Sequence, residues 1–220
     1  MEREIIITGD GSKTIQLKDW DEQYHSKHGA VQEAYHVFIR NGLDLFKNTS
    51  LDILEIGFGT ALNAFITFLE AKKGGLLVNY CGVEAYPIVW EEANQLDYVT
   101  QLNALGKEPY FKQLHSAPWE IPIAIAPFFK LTKRKMDFKD VEDQELFDLI
   151  YFDAFGARVQ PELWSVFIFK KMYEALRSKG YLVTYAAKGS VRRAMQEVGF
   201  IVERLPGPPG KREMLRAQKP

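Results

Sequence analysis

A chain of 220 residues with 46% hydrophobic and 13% aromatic content can bury a full core, which excludes disorder as its organising state. Its 28 Lys+Arg against 29 Asp+Glu leave a net charge of −1, which excludes nucleic-acid binding through overall basicity but not through segregated charge. The single cysteine, Cys81, excludes an intramolecular disulfide and a Cys-rich metal site and points to a reducing, cytoplasmic setting, and no apolar run reaches the roughly 18 residues of a membrane span.

The opening MEREIIITGD carries charges where a signal peptide needs apolar residues. Residues 4–17 form two short β-branched runs around Gly9, Asp10 and Gly11, the pattern of a hairpin. Residues 21–45 space Val31, Ala34, Tyr35, Phe38 and Ile39 as one helical face, closed by Gly42 and Asn48-Thr49-Ser50. This hairpin and helix, residues 1–50, form an extension ahead of a main unit over 51–220.

From Leu51 strands and helices alternate. Strands are predicted over 51–56, 78–83, 128–135, 147–152, 181–186 and 200–205, and helices over 60–72, 87–105, 161–178 and 190–198. The stretch 108–127, with Pro109, Pro118, Pro122 and Pro127, is predicted to be irregular, and residues 200–217 fold as a closing hairpin around Pro206-Gly207-Pro208-Pro209-Gly210. Repeated strand–helix–strand units imply an α/β fold, a doubly wound parallel sheet that binds ligands beyond the carboxyl ends of its strands.

The strongest local motif is Glu55-Ile56-Gly57-Phe58-Gly59-Thr60-Ala61-Leu62-Asn63, between a strand and a helix. Gly57 and Gly59 allow a sharp turn and close backbone approach to a ligand. Leu62 stands where a dinucleotide fold wants a third small residue, and no GxxxxGK[ST] string occurs, so neither nicotinamide nor triphosphate binding is indicated. Glu84 ends the second strand, where a carboxylate can accept from both ribose hydroxyls; Glu55 can order the turn or meet a ligand ammonium, and Asp137 can reach an adenine. S-adenosylmethionine, an adenosyl group joined to a sulfonium-bearing amino acid, suits such a carboxylate-lined pocket.

Phe147-Asp148-Leu149-Ile150-Tyr151-Phe152-Asp153-Ala154-Phe155 brings Asp153 to the carboxyl end of a central strand, among aromatic residues suited to a planar base bearing an amine. A metal site is not indicated, because Glu33-x-x-His36 is half of a paired motif, and the absent GxSxG elbow leaves no serine-hydrolase arrangement.

The terminal hairpin makes the pattern resemble the class I S-adenosylmethionine-dependent methyltransferase fold, Rossmann-like with a final antiparallel pair. The chain further resembles the methyltransferase half of the MnmC family of tRNA wobble-uridine enzymes. The resemblance rests on Gly57 to Asn63, Glu84-Ala85-Tyr86-Pro87, Asp153-Ala154-Phe155 with Pro161 and Trp164, and Lys188-Gly189-Ser190-Val191-Arg192-Arg193. It continues in Pro206 to Arg212 and in the N-terminal Tyr24-His25-Ser26 and Glu33 to Phe38.

The resemblance implies methyl transfer from S-adenosylmethionine to the exocyclic amine of 5-aminomethyl-2-thiouridine at the tRNA wobble position. Glu55, Gly57, Gly59, Thr60, Asn63, Glu84, Asp137 and Asp153 would hold the cofactor. Asp153 would orient and deprotonate the amine for direct in-line displacement, with Tyr24, Phe155 and Trp164 on the substrate side. Ala61 replaces a family glycine, which a helix start should tolerate, and Gly156-Ala157 replace Ala-Pro after the acid.

In the bifunctional family a flavin-dependent oxidase domain follows. The expectation here is a stand-alone, cytoplasmic methyltransferase acting on the tRNA anticodon region, with a separate oxidase upstream. A methyltransferase for another amine, or a non-catalytic RNA-binding module, are the alternatives. The near-zero net charge conceals a split. Residues 1–157 carry 15 Lys+Arg against 24 Asp+Glu, and residues 158–220 carry 13 against 5, which makes Lys188, Arg192, Arg193, Lys211 and Arg212 candidate tRNA contacts.

Overall fold

A computed structural model describes residues 2–220. Arg3–Ile7 (β1) and Lys13–Leu17 (β2) pair antiparallel as the expected hairpin, and Glu22–Gln23 (β3) adds a third short strand. The helical stretch expected from residue 21 begins only at Ala30, as Ala30–Ala34 (α1) continuing into a π-helical turn over Tyr35–Arg40. Its start is set by tertiary contacts. Ser12 Oγ accepts from the Ala30 N–H (3.2 Å) and an Asp10 carboxylate oxygen from the Gln32 N–H (3.0 Å), so the hairpin caps the helix from outside.

Ser50–Ile56 (β4), Leu62–Ala71 (α2) and Leu77–Val83 (β5) fall where the periodicity puts them. The long helix expected over 87–105 is broken. Trp90–Ala93 (α3) and Tyr98–Gln101 (α4) are separated at Asp97, whose backbone is left-handed (φ +57°). The stretch expected to be irregular contains Glu108–Ser116 (α5) and Ile123–Ala126 (β6). Pro109 sits in the first turn of α5, where its missing N–H leaves no bond unmade, so it starts a helix rather than breaking one.

Phe129–Arg134 (β7) and Phe147–Phe152 (β8) follow, then Val166–Ala175 (α6), whose start is capped by Ser165. Leu176–Thr184 (β9), Gly189–Glu197 (α7), Ile201–Pro206 (β10) and Glu213–Gln218 (β11) complete the chain.

Eight strands form one sheet in the order β10-β11-β9-β8-β4-β5-β7-β6, parallel from β9 through β7, with the β10–β11 hairpin joined antiparallel to β9. Successive residues of the central strands face opposite cores. Ile53, Tyr80 and Leu149 pack on the side of α1, α2 and α5, and Leu54, Cys81 and Ile150 on the side of α6 and α7. Ile15, Ala30, Val37 and Phe38 of the N-terminal extension lie in the first of these cores, continuous with the main sheet.

The chain leaves β4 toward β5 on one side and later returns through β8 on the other. The loops after β4 and β8 therefore diverge and open a crevice between them. Ala61, between the glycine turn and α2, is itself left-handed (φ +58°) rather than a helix start, so this backbone favours glycine there and alanine carries strain.

Gly57 is held more tightly still, because its φ is +92° and a Cβ would come within 2.5 Å of the Asp153 carbonyl oxygen. Gly57→Ala should therefore lose about 2 kcal/mol or more of stability, seen as a fall of several degrees in the melting midpoint. An unchanged midpoint would show that the two loops are not in contact.

Candidate active site

After β4 the chain turns through Gly57 and Gly59, both at positive φ (+92° and +48°). The N–H groups of Gly57 and Phe58 both donate to the Val83 carbonyl at the end of β5 (3.0 Å each). Glu84, the next residue, is 8% exposed and organises the turn, accepting from the Gly59 N–H at one oxygen (2.9 Å) and the Tyr86 N–H at the other (2.9 Å). Burial raises its pKa and these donors oppose the rise. Each oxygen can still accept from a ligand hydroxyl.

Asn63, in the first turn of α2, links the two central strands. Its Nδ2 donates to Glu55 Oε1 on β4 (2.9 Å) and to Asp153 Oδ2 beyond β8 (2.8 Å), and the Tyr80 hydroxyl donates to the other Glu55 oxygen (2.8 Å). Burial pushes the Glu55 carboxyl well above the usual range, against the Asn63 and Tyr80 bonds. Asp153 is pushed up to about 7, by burial first and then by the charge of Glu33, with the Asn63 bond and Lys211 opposing. A carboxylate with that proton affinity can accept a proton near neutral pH.

The cleft above these groups measures about 940 Å³ and is lined by Gly57, Gly59, Thr60, Glu84, Asp137, Asp153, Tyr24 and Phe155, all expected at the site, and by Lys211, expected instead among the tRNA contacts. Glu55, 1% exposed, and Asn63, 3% exposed, lie within the protein and hold Asp153 in place. Trp164 is buried in the second core and supports the cleft indirectly, its Nε1 donating to the Phe155 carbonyl (2.8 Å). Lys188, Arg192, Arg193 and Arg212 are outside the cleft, Arg192 half-buried and the others exposed.

The segment 22–29, expected to be helical, instead walls the cleft. Tyr24 packs edge-on against Phe155 (ring centroids 5.0 Å), and Arg158 ties the loop after β8 to the carbonyls of Trp20 and Asp21 and to Glu22. Thr60 is anchored from beneath, its hydroxyl bonded to the Tyr98 hydroxyl and to His25, and its carbonyl accepting from His115 Nε2 (3.2 Å). Burial lowers both histidines to about 4, so they are neutral at pH 7.

Two cleft residues were not anticipated in this role. Glu33, noted as half of a metal motif and as part of the N-terminal resemblance but given no role in the cleft, pairs with Lys211, while its motif partner His36 donates to the Pro206 carbonyl. Tyr185, beyond β9, donates to the Ala154 carbonyl (2.8 Å). Cys81 is buried, which pushes its thiol up to about 12.

A family model described as S-adenosyl-L-methionine-dependent methyltransferase matches residues 129–220. The crystal structure of MnmC2 from Aquifex aeolicus superposes with a TM-score of 0.75 at 26% identity, covering 100% of this chain and 71% of that one. The tRNA 5-methylaminomethyl-2-thiouridine biosynthesis bifunctional protein MnmC of Ralstonia nicotianae is 31% identical over 91% of this chain. Its counterpart in Paracidovorax citrulli is 29% identical over 90%.

Over residues 129–220 the chain is similar to the S-adenosyl-L-methionine-dependent methyltransferases. It spans about a third (32%) of the length of these curated MnmC relatives. Spermidine synthase from Thermotoga maritima, at 11% identity and a TM-score of 0.58, shares the fold alone.

The residues present fit the methyltransferase cofactor. A Cβ at Gly59 would come within 3.1 Å of the Tyr24 ring, so the bare glycine lets that ring close directly over the turn as one wall of the cleft. The cleft presents Glu84, Asp137 and Asp153 to a cationic ligand, and among the described residues no Lys or Arg side chain bonds to the glycine turn as a phosphate site would require.

Asp153 in the folded protein holds its proton up to about pH 7, against 3.8 for an ordinary aspartate. The folded state therefore binds more protons across that window, and stability is lost as pH rises through it. Glu55 and Glu84, also raised, act with the same sign. Melting midpoints of Asp153→Asn without cofactor should fall less steeply than wild type from pH 4 to 7 and lie above wild type at pH 8. Parallel curves for the two proteins would contradict the assignment.

Proposed function

We propose that this methyltransferase N-methylates the 5-aminomethyl group of 2-thiouridine at the wobble position of tRNA. The observation that carries the reading is Asp153, held by Asn63 in an aromatic-walled cleft with a proton affinity near neutrality. The similarity to the MnmC proteins supports the choice of substrate.

Glu84 would accept from the ribose hydroxyls, Asp137 would lie toward the adenine, and Gly57, Gly59 and Thr60 would hold the remainder of the cofactor. S-adenosylmethionine, when bound, supplies a methyl group made electrophilic by its sulfonium. Tyr24 and Phe155 hold the flipped base, as aromatic pockets hold extruded bases generally. An alkylammonium has no lone pair to offer, so ionised Asp153 takes one proton from it and orients the resulting amine. The exposed Lys188, Arg193 and Arg212, with Arg192, contact backbone phosphates of the anticodon region.

Among the described residues no helix is long and apolar enough to cross a membrane. The setting we assign is the cytoplasm, beside its tRNA, with a flavin-dependent oxidase supplying the aminomethyl substrate.

Undermodified tRNA and S-adenosylmethionine should yield the methylaminomethyl nucleoside by mass spectrometry, with a rate that rises through pH 7 as Asp153 ionises. Asp153→Ala should lose about 10²-fold or more in turnover while the cofactor Kd stays within a few fold. Near wild-type turnover in that variant would remove Asp153 from the mechanism, and absent cofactor binding in the wild type would leave only a binding module.

A further inference from the structure

Of the Lys and Arg residues that line the cleft, Arg3, Lys27, Lys139 and Lys211, the last is held between a buried carboxylate and an aromatic face, and the proposed reaction does not use it. Lys211, in the loop between β10 and β11, extends inward rather than toward solvent. Its Nζ bonds to a Glu33 carboxylate oxygen (2.5 Å) and stands 3.8 Å from the centroid of the Tyr185 ring. Glu33 is 7% exposed, and its other oxygen accepts from the Ser26 N–H (3.2 Å). Glu33, Tyr185, Lys211 and Asp153 all line the same cleft. Glu33 and Lys211 lie close enough to Asp153 for their charges to act on its proton in opposite directions, although burial dominates.

A carboxylate beneath an aromatic face is a receptor for an ammonium group. Here that receptor is filled by an ammonium of the protein's own, on a flexible four-carbon stem that can swing away. A lysine in this position cannot serve as a phosphate contact without leaving Glu33.

We propose that Glu33 and Tyr185 form the binding box for the substrate's primary ammonium, and that Lys211 is its internal stand-in, displaced when substrate enters. The class of ligand is a primary alkylammonium carried on a planar ring. The inference rests on the amine-methylating reading for its biological substrate, but the box itself is defined by charge and geometry. Displacement places the incoming nitrogen next to Asp153, and the released Lys211 ammonium keeps the total charge of the cleft unchanged while the amine is bound.

The test is calorimetric titration of the cofactor-free protein with benzylammonium, just above neutral pH, with benzyl alcohol as the uncharged control. Glu33→Gln should weaken benzylammonium binding about 10-fold or more. Lys211→Met, which removes the resident competitor, should tighten it about five-fold or more, and Lys211→Gln should tighten it in the same direction. Benzyl alcohol should respond to none of these changes. All three substitutions are close in size to the residues they replace, and thermal melts verify that each variant is folded.

Unchanged or weaker binding by folded Lys211→Met and Lys211→Gln, or no binding by any variant, overturns the proposal. If this pattern holds but undermodified tRNA is not methylated, the wobble-uridine reading fails and the ammonium box stands. If tRNA is methylated and the pattern is missing, the box alone fails.

Discussion

The site depends on one side-chain amide. Asn63 donates both Nδ2 protons, to Glu55 on β4 and to Asp153 beyond β8, and so couples two carboxylates that would otherwise repel each other across the switch point of the sheet. Burying two carboxylates this close is costly unless donors satisfy them or protons neutralise them. The structure uses both routes: Tyr80 and Asn63 supply donors, and burial raises the proton affinity of both acids. The same arrangement that destabilises the folded protein as pH rises is what makes Asp153 a competent proton acceptor near neutrality.

Around that centre the cleft is built from distant parts of the chain. The glycine turn and Glu84 come from two adjacent parallel strands, and the aromatic wall comes from the N-terminal extension meeting the loop after β8. The opposite side comes from the C-terminal hairpin, which sends Lys211 back to Glu33 on α1. The N-terminal extension, set apart from the main unit by its sequence pattern, is thus part of the pocket, and its core is continuous with that of the sheet.

Local features were legible in the sequence because their causes are local. β8 begins and ends where its apolar run does, the glycine turn lies directly between β4 and α2, and Asp153 stands one residue past a central strand. What stayed hidden was set by contacts between distant residues. The start of α1 is fixed by Asp10 and Ser12 from the hairpin, so periodicity alone placed it nine residues early and concealed the cleft wall of residues 22–29. Leu96 and Tyr98, both buried, continue the apolar pattern across Asp97, so nothing in the spacing marked the break between α3 and α4. Lys211 read as one more charge in a basic tail, since its partner Glu33 lies 178 residues earlier in the chain. The charge split between the two parts of the sequence remains visible in the exposed Lys188, Arg193 and Arg212, outside the cleft.

The central claim is that this environment, rather than the identity of the residue, gives Asp153 its proton affinity. Carboxyl-carbon NMR of the cofactor-free protein, with the Asp153 resonance assigned by comparison with Asp153→Asn, measures this directly. A titration midpoint near 7 is the expected result. A midpoint near 4, where an exposed aspartate titrates, would contradict the buried, Asn63-coupled carboxylate described above.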